Sequence, residues 1–226
     1  MELLPQTADV LRRLSESSDV DLVAVVTEAG DLVAAEVPSC LGFSYCLVDE
    51  DLTFTVVATS EDSTVMDAAQ YLDDGPCLQA GRGEVVVGVE DVLDESRWQQ
   101  YAATAADRGV RSSLSLPLLH GGRLVGTVNF YAALAGAFVG HEERLASIVG
   151  ASARVAVTNA DLSFRSLGDA AAAPTHLDDL VVVDRASGVL AQTRGISVDD
   201  ARALLHGAAL RAGMQPSDLA RSLIRC

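Results

Sequence analysis

The chain contains no lysine: all 16 of its basic residues are arginine, set against 32 acids, for a formal net charge of -16. The arginine bias carries no functional weight by itself, but any contact with a phosphate must come from guanidinium groups. Aromatic residues make up only 4% of the 226 residues, and none lies between 176 and 226. Stacking on a nucleic-acid base there would fall to arginine planes alone. No apolar run approaches the roughly 18 residues that span a bilayer. The opening MELLPQTADV has an early acid and no basic region before its leucines, so neither a leader nor a membrane anchor is expected, and the expected location is cytoplasmic. Four cysteines, Cys40, Cys46, Cys77 and Cys226, fit no CxxC or Cys/His ligand spacing and no ferredoxin run, so reduced thiols and no metal are expected. His120 and His141 fall in a turn and at a helix start and read as solvated groups rather than ligands.

A hydrophobic fraction of 49% places the chain among globular proteins, and its length allows one sizeable core plus a small second unit. The charge is uneven. Residues 1–175 hold 26 acids and 10 arginines, whereas residues 176–226 hold six of each. Screening over about 8 Å at physiological salt lets a neutral C-terminal unit act apart from an acidic N-terminal one, so overall acidity does not exclude RNA as a partner.

TADVLRRLSES reads as a short amphipathic helix, and Leu22, Val26, Ala29, Val33 and Val37 recur at helical spacing over a length few strands reach. FSYCLVDED and TFTVVATS alternate as strands, as do SSLSLPLL and RLVGTVNFY, the second pair joined through His120-Gly121-Gly122, a hairpin signal. Short helices are expected in STVMDAAQY, GPCLQAGR and ESRWQQYAATAADRG, and a long one in HEERLASIVGASARVAVTNADL. This order implies an α+β fold, an antiparallel sheet flanked by helices, with one apolar face and one small polar face that either meets solvent or is covered to leave a pocket.

The segments YLDDGPCLQAGRGE, DESRWQQYAATAADRGVRSSLSLPL and GTVNFYAALAGAFVGHEERLASIVGASARVAV resemble the GAF sensor domains of actinobacteria. Residues 176–224 resemble the ANTAR domain, the all-α three-helix RNA-binding module of transcription antitermination regulators. The resemblance implies a GAF domain over 1–165, a linker over 166–175 and an ANTAR-like domain over 176–226. It further implies a signal-responsive regulator that binds RNA hairpins as a homodimer, is not an enzyme, and takes a small-molecule ligand of unknown identity, with any cofactor also unknown. The alternative is a ligand or redox sensor whose output helices contact a protein instead of RNA.

In a GAF pocket the candidate ligand-binding residues are Cys77, Trp98, Tyr101, Ser113, Ser115, Thr127 and Asn129, although Trp98 and Tyr101 also suit a plain core. Gly75 and Pro76 break the chain just before Cys77, which places its thiol at a helix start, where a thiol pKa can fall. Cys77 then reads as a packing residue, a redox-sensing thiol or a catalytic one, the last because some GAF proteins are similar to free methionine sulfoxide reductases. No resolving thiol next to it is evident.

Leu145, Ile148, Ser152, Val155, Asn159 and Leu162 follow alternating steps of three and four, the spacing of a coiled-coil seam, with Asn159 at a position that sets register. Leu145, Ile148, Val155, Asn159 and Leu162 are therefore the candidate dimer contacts, unless the stripe packs on the chain's own sheet. In the C-terminal unit the helices end at Gly195 and Gly213, Ser197 and Asp200 resemble a capping box, and the small core is expected to lean on the preceding domain or a partner. Candidate RNA contacts are Arg185, Arg194, Arg202, Arg211, Arg221 and Arg225. Ser187 stands where the ANTAR pattern carries a lysine, and His206 and Gly207 where it often carries arginines. Arg185 and Arg194 are nine residues apart, as are Arg202 and Arg211, which puts each pair on opposite helix faces.

Overall fold

The computed structural model describes residues 3–15, 20–49, 52–160 and 177–225. The linker expected over 166–175, Leu162 and Cys226 lie outside the described residues. Helix α1 (Pro5–Ser15) turns Thr7, Leu11 and Leu14 inward. Helix α2 (Leu22–Glu36) starts where the Asp21 side chain accepts the Ala24 N–H at 3.1 Å and buries Leu22, Val26, Ala29 and Val33. The helical spacing thus outweighs the β-preference of its valines.

Strands β1 (Cys40–Asp49) and β2 (Leu52–Ala58) pair antiparallel, with a register shift between Tyr45 and Cys46. Next come α3 (Glu61–Leu72), α4 (Pro76–Gly83), the short strand β3 (Val87–Val89) and α5 (Gln99–Asp107). The hairpin of β4 (Ser112–His120) and β5 (Arg123–Ala132) turns at Gly121 and Gly122, with φ of 58° and 77°. Both values lie in the left-handed region that glycine enters without strain, which is why this pair closes the hairpin. Helix α6 (Glu142–Asn159) completes the first domain. The sheet runs β2-β1-β5-β4-β3, all antiparallel. Its edge strand β3 was not expected from the sequence, because three residues are too few to show alternation.

One sheet face carries Phe43, Tyr45, Leu114, Leu116, Leu118, Val128 and Phe130, packed with Leu11, Leu22, Val26, Val33, Leu145 and Val149 in one core. The other face is covered by α3, α4 and α5, with Met66, Ala80, Val89, Trp98, Tyr101 and Tyr131 forming a second cluster.

The C-terminal domain is a bundle of α7 (Leu177–Arg194), α8 (Val198–Ala212) and α9 (Pro216–Arg225). Ser197 caps α8 by accepting the Asp200 N–H at 3.1 Å, and Gly213 ends it with φ 70°. The bundle interior is mostly alanine: Ala186, Ala191, Ala201, Ala208, Ala209, Ala212 and Ala220 join Leu190, Leu205, Leu219 and Leu223. Such small side chains bury little apolar area, and the same cluster continues into Ala68, Tyr71 and Leu72 of α3. The bundle therefore leans on the first domain, chiefly through α3, with further contacts to β2 and α5.

Candidate functional site

Beneath α3 and α4, the small polar face of the sheet is a closed network instead of a solvated surface. Alternation puts Ser44 and Cys46 on this face of β1, Thr55 on β2, Thr127 and Asn129 on β5, and Ser115 on β4. Register brings them side by side, Cys46 opposite both Thr55 and Thr127, and Asn129 opposite both Ser44 and Ser115. Helix α3 lowers Asp67 onto them. One carboxylate oxygen, Oδ1, accepts the Tyr131 hydroxyl at 2.6 Å and the Asn129 amide at 3.0 Å; the other, Oδ2, accepts the Thr55 hydroxyl at 2.9 Å. Ser115 donates to Asn129 at 2.9 Å.

Asp67 is fully buried. Burial outweighs these three donors and pushes its carboxyl above the ordinary 3.8. The Cys46 thiol is likewise pushed up by burial and then by its neighbours Cys77 and Asp67. Burial also pushes the Tyr71 and Tyr131 phenols up. Cys46 accepts the Tyr71 hydroxyl at 3.5 Å and the Asn129 amide at 3.4 Å.

Of the seven ligand candidates, the structure joins Cys77 to Thr127 at 3.0 Å, Ser115 to Asn129, and Tyr101 to Ser113 at 2.6 Å. Trp98 stands apart, in the apolar cluster with Arg97 stacked on its ring at 4.1 Å. The Cys77 amide at the start of α4 is not open to a ligand, because it donates to the Gln70 side chain at 2.6 Å. Cys77 also has a neighbouring thiol after all, Cys46, brought to it from a distant strand. Sequence reasoning missed Asp67, Thr55, Gln70 and Tyr71, although it allowed Cys46 to converge with Cys77. The available signal was the spacing of Ser63, Asp67, Gln70 and Tyr71, which sets polar groups on one face of a helix otherwise rich in small apolar residues.

The bundle arginines divide into two kinds. Arg202 pairs with Asp184 at 2.8 Å, and Arg221 pairs with Asp218 at 2.8 Å and with Asp179, all at partly exposed positions. Such surface pairs contribute about 0–1 kcal/mol and yield readily to a phosphate. Arg185 is exposed. Arg194 and Arg211 instead point at the first domain. Arg194 donates to the Leu72 carbonyl at 2.9 Å and pairs with Asp73 at 2.8 Å. Arg211 donates to the Tyr71 carbonyl at 2.6 Å with its guanidinium 4.7 Å from the Tyr71 ring centroid, and burial pushes its pKa down.

The seam expected to face a second copy points inward where it is described. Leu145 is fully buried in the chain's own core, Ile148 and Val155 pack against that core, and Ser152 accepts or donates a 2.7 Å bond with the Tyr45 hydroxyl. Asn159, expected to set coiled-coil register, donates its amide to the Leu14 carbonyl at 3.1 Å and so ties α6 to α1. The outward residues of α6 are Glu143, Arg144, Ala146, Ser147, Ala151, Arg154 and Thr158, which offer no large apolar side chain.

Among the described residues no helix is long and apolar enough to cross a membrane, and no group of three or more His, Cys, Asp or Glu is placed to hold a metal ion. Solved structures similar to this chain include the type II free methionine-R-sulfoxide reductase from Thermoplasma acidophilum, at 17% identity over 57% of this chain and 89% of that one, with a TM-score of 0.45. The GAF domain from Acinetobacter phosphoenolpyruvate-protein phosphotransferase is similar at 16% identity, over 70% and 96%, with a TM-score of 0.42. No curated protein matches the chain. The ANTAR domain family matches residues 171–224 and the GAF domain family residues 2–158. With its antiparallel sheet, flanking helices and appended helical bundle, this chain belongs to the GAF domain family and carries an ANTAR domain, a known RNA-binding antitermination module, behind its sensor domain.

Proposed function

We propose that the chain is a signal-responsive regulator of transcription antitermination that binds RNA hairpins through α7–α9 and acts as a dimer. The observation that carries the reading is the order of the two family matches, a sensor domain directly followed by an RNA-binding module. The signal is a small polar molecule that enters at the Asp67 network and exchanges bonds with Ser115, Thr127, Asn129 and Cys77. Titration with hairpin RNA at several salt concentrations tests the reading. With Arg185, Arg202 and Arg221 on phosphates, the logarithm of affinity should fall with that of salt at a slope of about -2 per chain and about -4 for a dimer engaging both modules, at roughly -0.7 per phosphate.

Absence of binding at low salt would favour a protein partner, a reading supported by the exposed Leu180, Val181 and Val189 on α7. The proposal assigns no catalysis. Reduction of free methionine sulfoxide by the wild-type protein, lost in Cys77→Ser, would overturn that part.

A further inference from the structure

We propose that the C-terminal end of α3 is a latch that withholds Arg194 and Arg211 from RNA, and that the Tyr71 side chain ties this hold to the buried network of the sensor domain. The proposal rests on the RNA-binding reading and concerns its regulation.

A helix C-terminus leaves its last carbonyls without intrahelical partners and carries the negative end of the helix dipole. At α3 two of those carbonyls belong to Tyr71 and Leu72, and the next residue is Asp73. Arg211 takes the first at 2.6 Å and Arg194 the second at 2.9 Å, with the Asp73 carboxylate 2.8 Å from Arg194. Two carbonyls, a carboxylate and an aromatic face thus present to the bundle the oxygens and the stacking surface that a nucleotide would present. The two arginines come from different helices, α7 and α8, and both sit at the edge of the shared core of Ala68, Tyr71, Leu72, Leu190, Ala208 and Ala212. Both are partly buried, and their hydrogen bonds to α3 hold them while that core is closed.

Tyr71 belongs to both sides of this contact. Its ring and carbonyl hold Arg211, while its hydroxyl lies 3.0 Å from Thr55 Oγ1 and donates to Cys46 Sγ at 3.5 Å. Thr55 in turn donates to Asp67. Thr55 also lines a cleft of about 540 Å³ between α1, β2, α3 and the bundle, opposite Gly213 and Met214. A bond exchanged in the network therefore shifts the side chain on which Arg211 rests.

The experiment combines phenylglyoxal labelling of arginines in the full chain, read by peptide mass spectrometry, with hairpin RNA titration. In the wild type, Arg194 and Arg211 should label about tenfold more slowly than Arg185, as expected for groups freed chiefly by local opening. Ala68→Glu puts a carboxylate in the shared core without replacing an arginine. It should bring both arginines to the rate of Arg185 and steepen the RNA salt slope by about 1.4 per chain, two further phosphates at roughly 0.7 each. Asp73→Ala, at a partly exposed position, should free Arg194 alone and steepen the slope by about 0.7, and it serves as the test if Ala68→Glu does not fold.

Wild-type Arg194 and Arg211 labelling as fast as Arg185 would overturn the latch. Wild type and variants binding RNA with equal slopes would overturn it while leaving the RNA reading intact. Freed arginines with no RNA binding by any form would sink the RNA reading and the latch with it. The tie through Tyr71 is read by a double-mutant cycle: Asp67→Asn should change the Arg211 labelling rate in the presence of Tyr71 and not in Tyr71→Phe, and equal effects in both backgrounds would refute it.

Discussion

Asp67 sets up a contest whose outcome can be read as a pH slope. Its carboxylate accepts three hydrogen bonds at 2.6–3.0 Å, each worth about 1.5–3 kcal/mol to a charged group. Against them stands the removal of the carboxylate from water, which costs several kcal/mol even after relaxation. Burial wins, so the folded pKa lies above the ordinary 3.8. The folded state then binds a proton more tightly than the unfolded chain does. The contribution of Asp67 to stability is fully present below pH 3.8 and is lost as pH rises through the folded value.

The perturbation is Asp67→Asn. With its carbonyl placed at the Oδ1 position it keeps the Tyr131 and Asn129 donors. Its amide then meets Thr55 Oγ1 and Cys46 Sγ, both able to accept, and the Thr55 hydroxyl turns to the Tyr71 oxygen at 3.0 Å. The variant therefore leaves position 67 with partners at both oxygen positions and removes its titration, while the Thr55 and Cys46 bonds are re-aimed. Urea denaturation of both proteins between pH 4 and 7 should show the wild type losing stability relative to Asp67→Asn by about 1.4 kcal/mol per pH unit within the window, one proton's worth of linkage. Curves that stay parallel would refute the reasoning. A wild type that gains on the variant as pH rises would reverse it, showing that the hydrogen bonds outweigh burial.

Much of the fold was legible because its signals are periodic. The step of three and four from Leu22 to Val33 gave α2, and Gly121-Gly122 gave the β4–β5 hairpin. The polar sheet face was legible in part, from the serines of β4 and from Thr127 and Asn129, since alternation assigns residues to a face. That the short helices cover it was one of two open readings; which of their side chains reach it was not legible. Asp67 and Cys46 reach Asn129 across 62 and 83 residues of chain, and alternation within a strand carries no information about a helix that arrives from elsewhere. The α6 stripe shows the same limit from the other side. Steps of three and four mark a helix face that must be buried, but they do not say whether the cover is a second copy or, as at Leu145, Ile148 and Val155, the chain's own core. Spacing separates Arg185 from Arg194 and Arg202 from Arg211, but it does not show that Arg194 and Arg211 meet α3, whose open carbonyls leave no mark in the sequence.

Gly126→Ala should destabilise severely or leave insoluble protein, because the added Cβ would lie 2.1 Å from the Cys46 carbonyl oxygen, a backbone atom that cannot step aside. Gly207→Ala, in open space on α8, should instead raise stability by about 0.5–1 kcal/mol in urea melts, the ordinary helix preference for alanine. Leu145→Asp should unfold the sensor domain, seen as lost circular dichroism, and Asn159→Leu should cost about 1 kcal/mol through the lost bond to Leu14. Soluble, folded monomers from Leu145→Asp would contradict the inward placement of the stripe. Ser187→Ala should raise stability. Ser187 is fully buried in α7, and among the described residues its hydroxyl has no hydrogen-bond partner. An unpaired buried hydroxyl costs about 1–3 kcal/mol, and alanine both removes it and forms helix better. A gain of about 1 kcal/mol or more with unchanged RNA salt slope is expected, since Ser187 faces the core and not a phosphate. A loss of stability would show that the hydroxyl has a partner, and a change in slope would show that this face of α7 meets RNA.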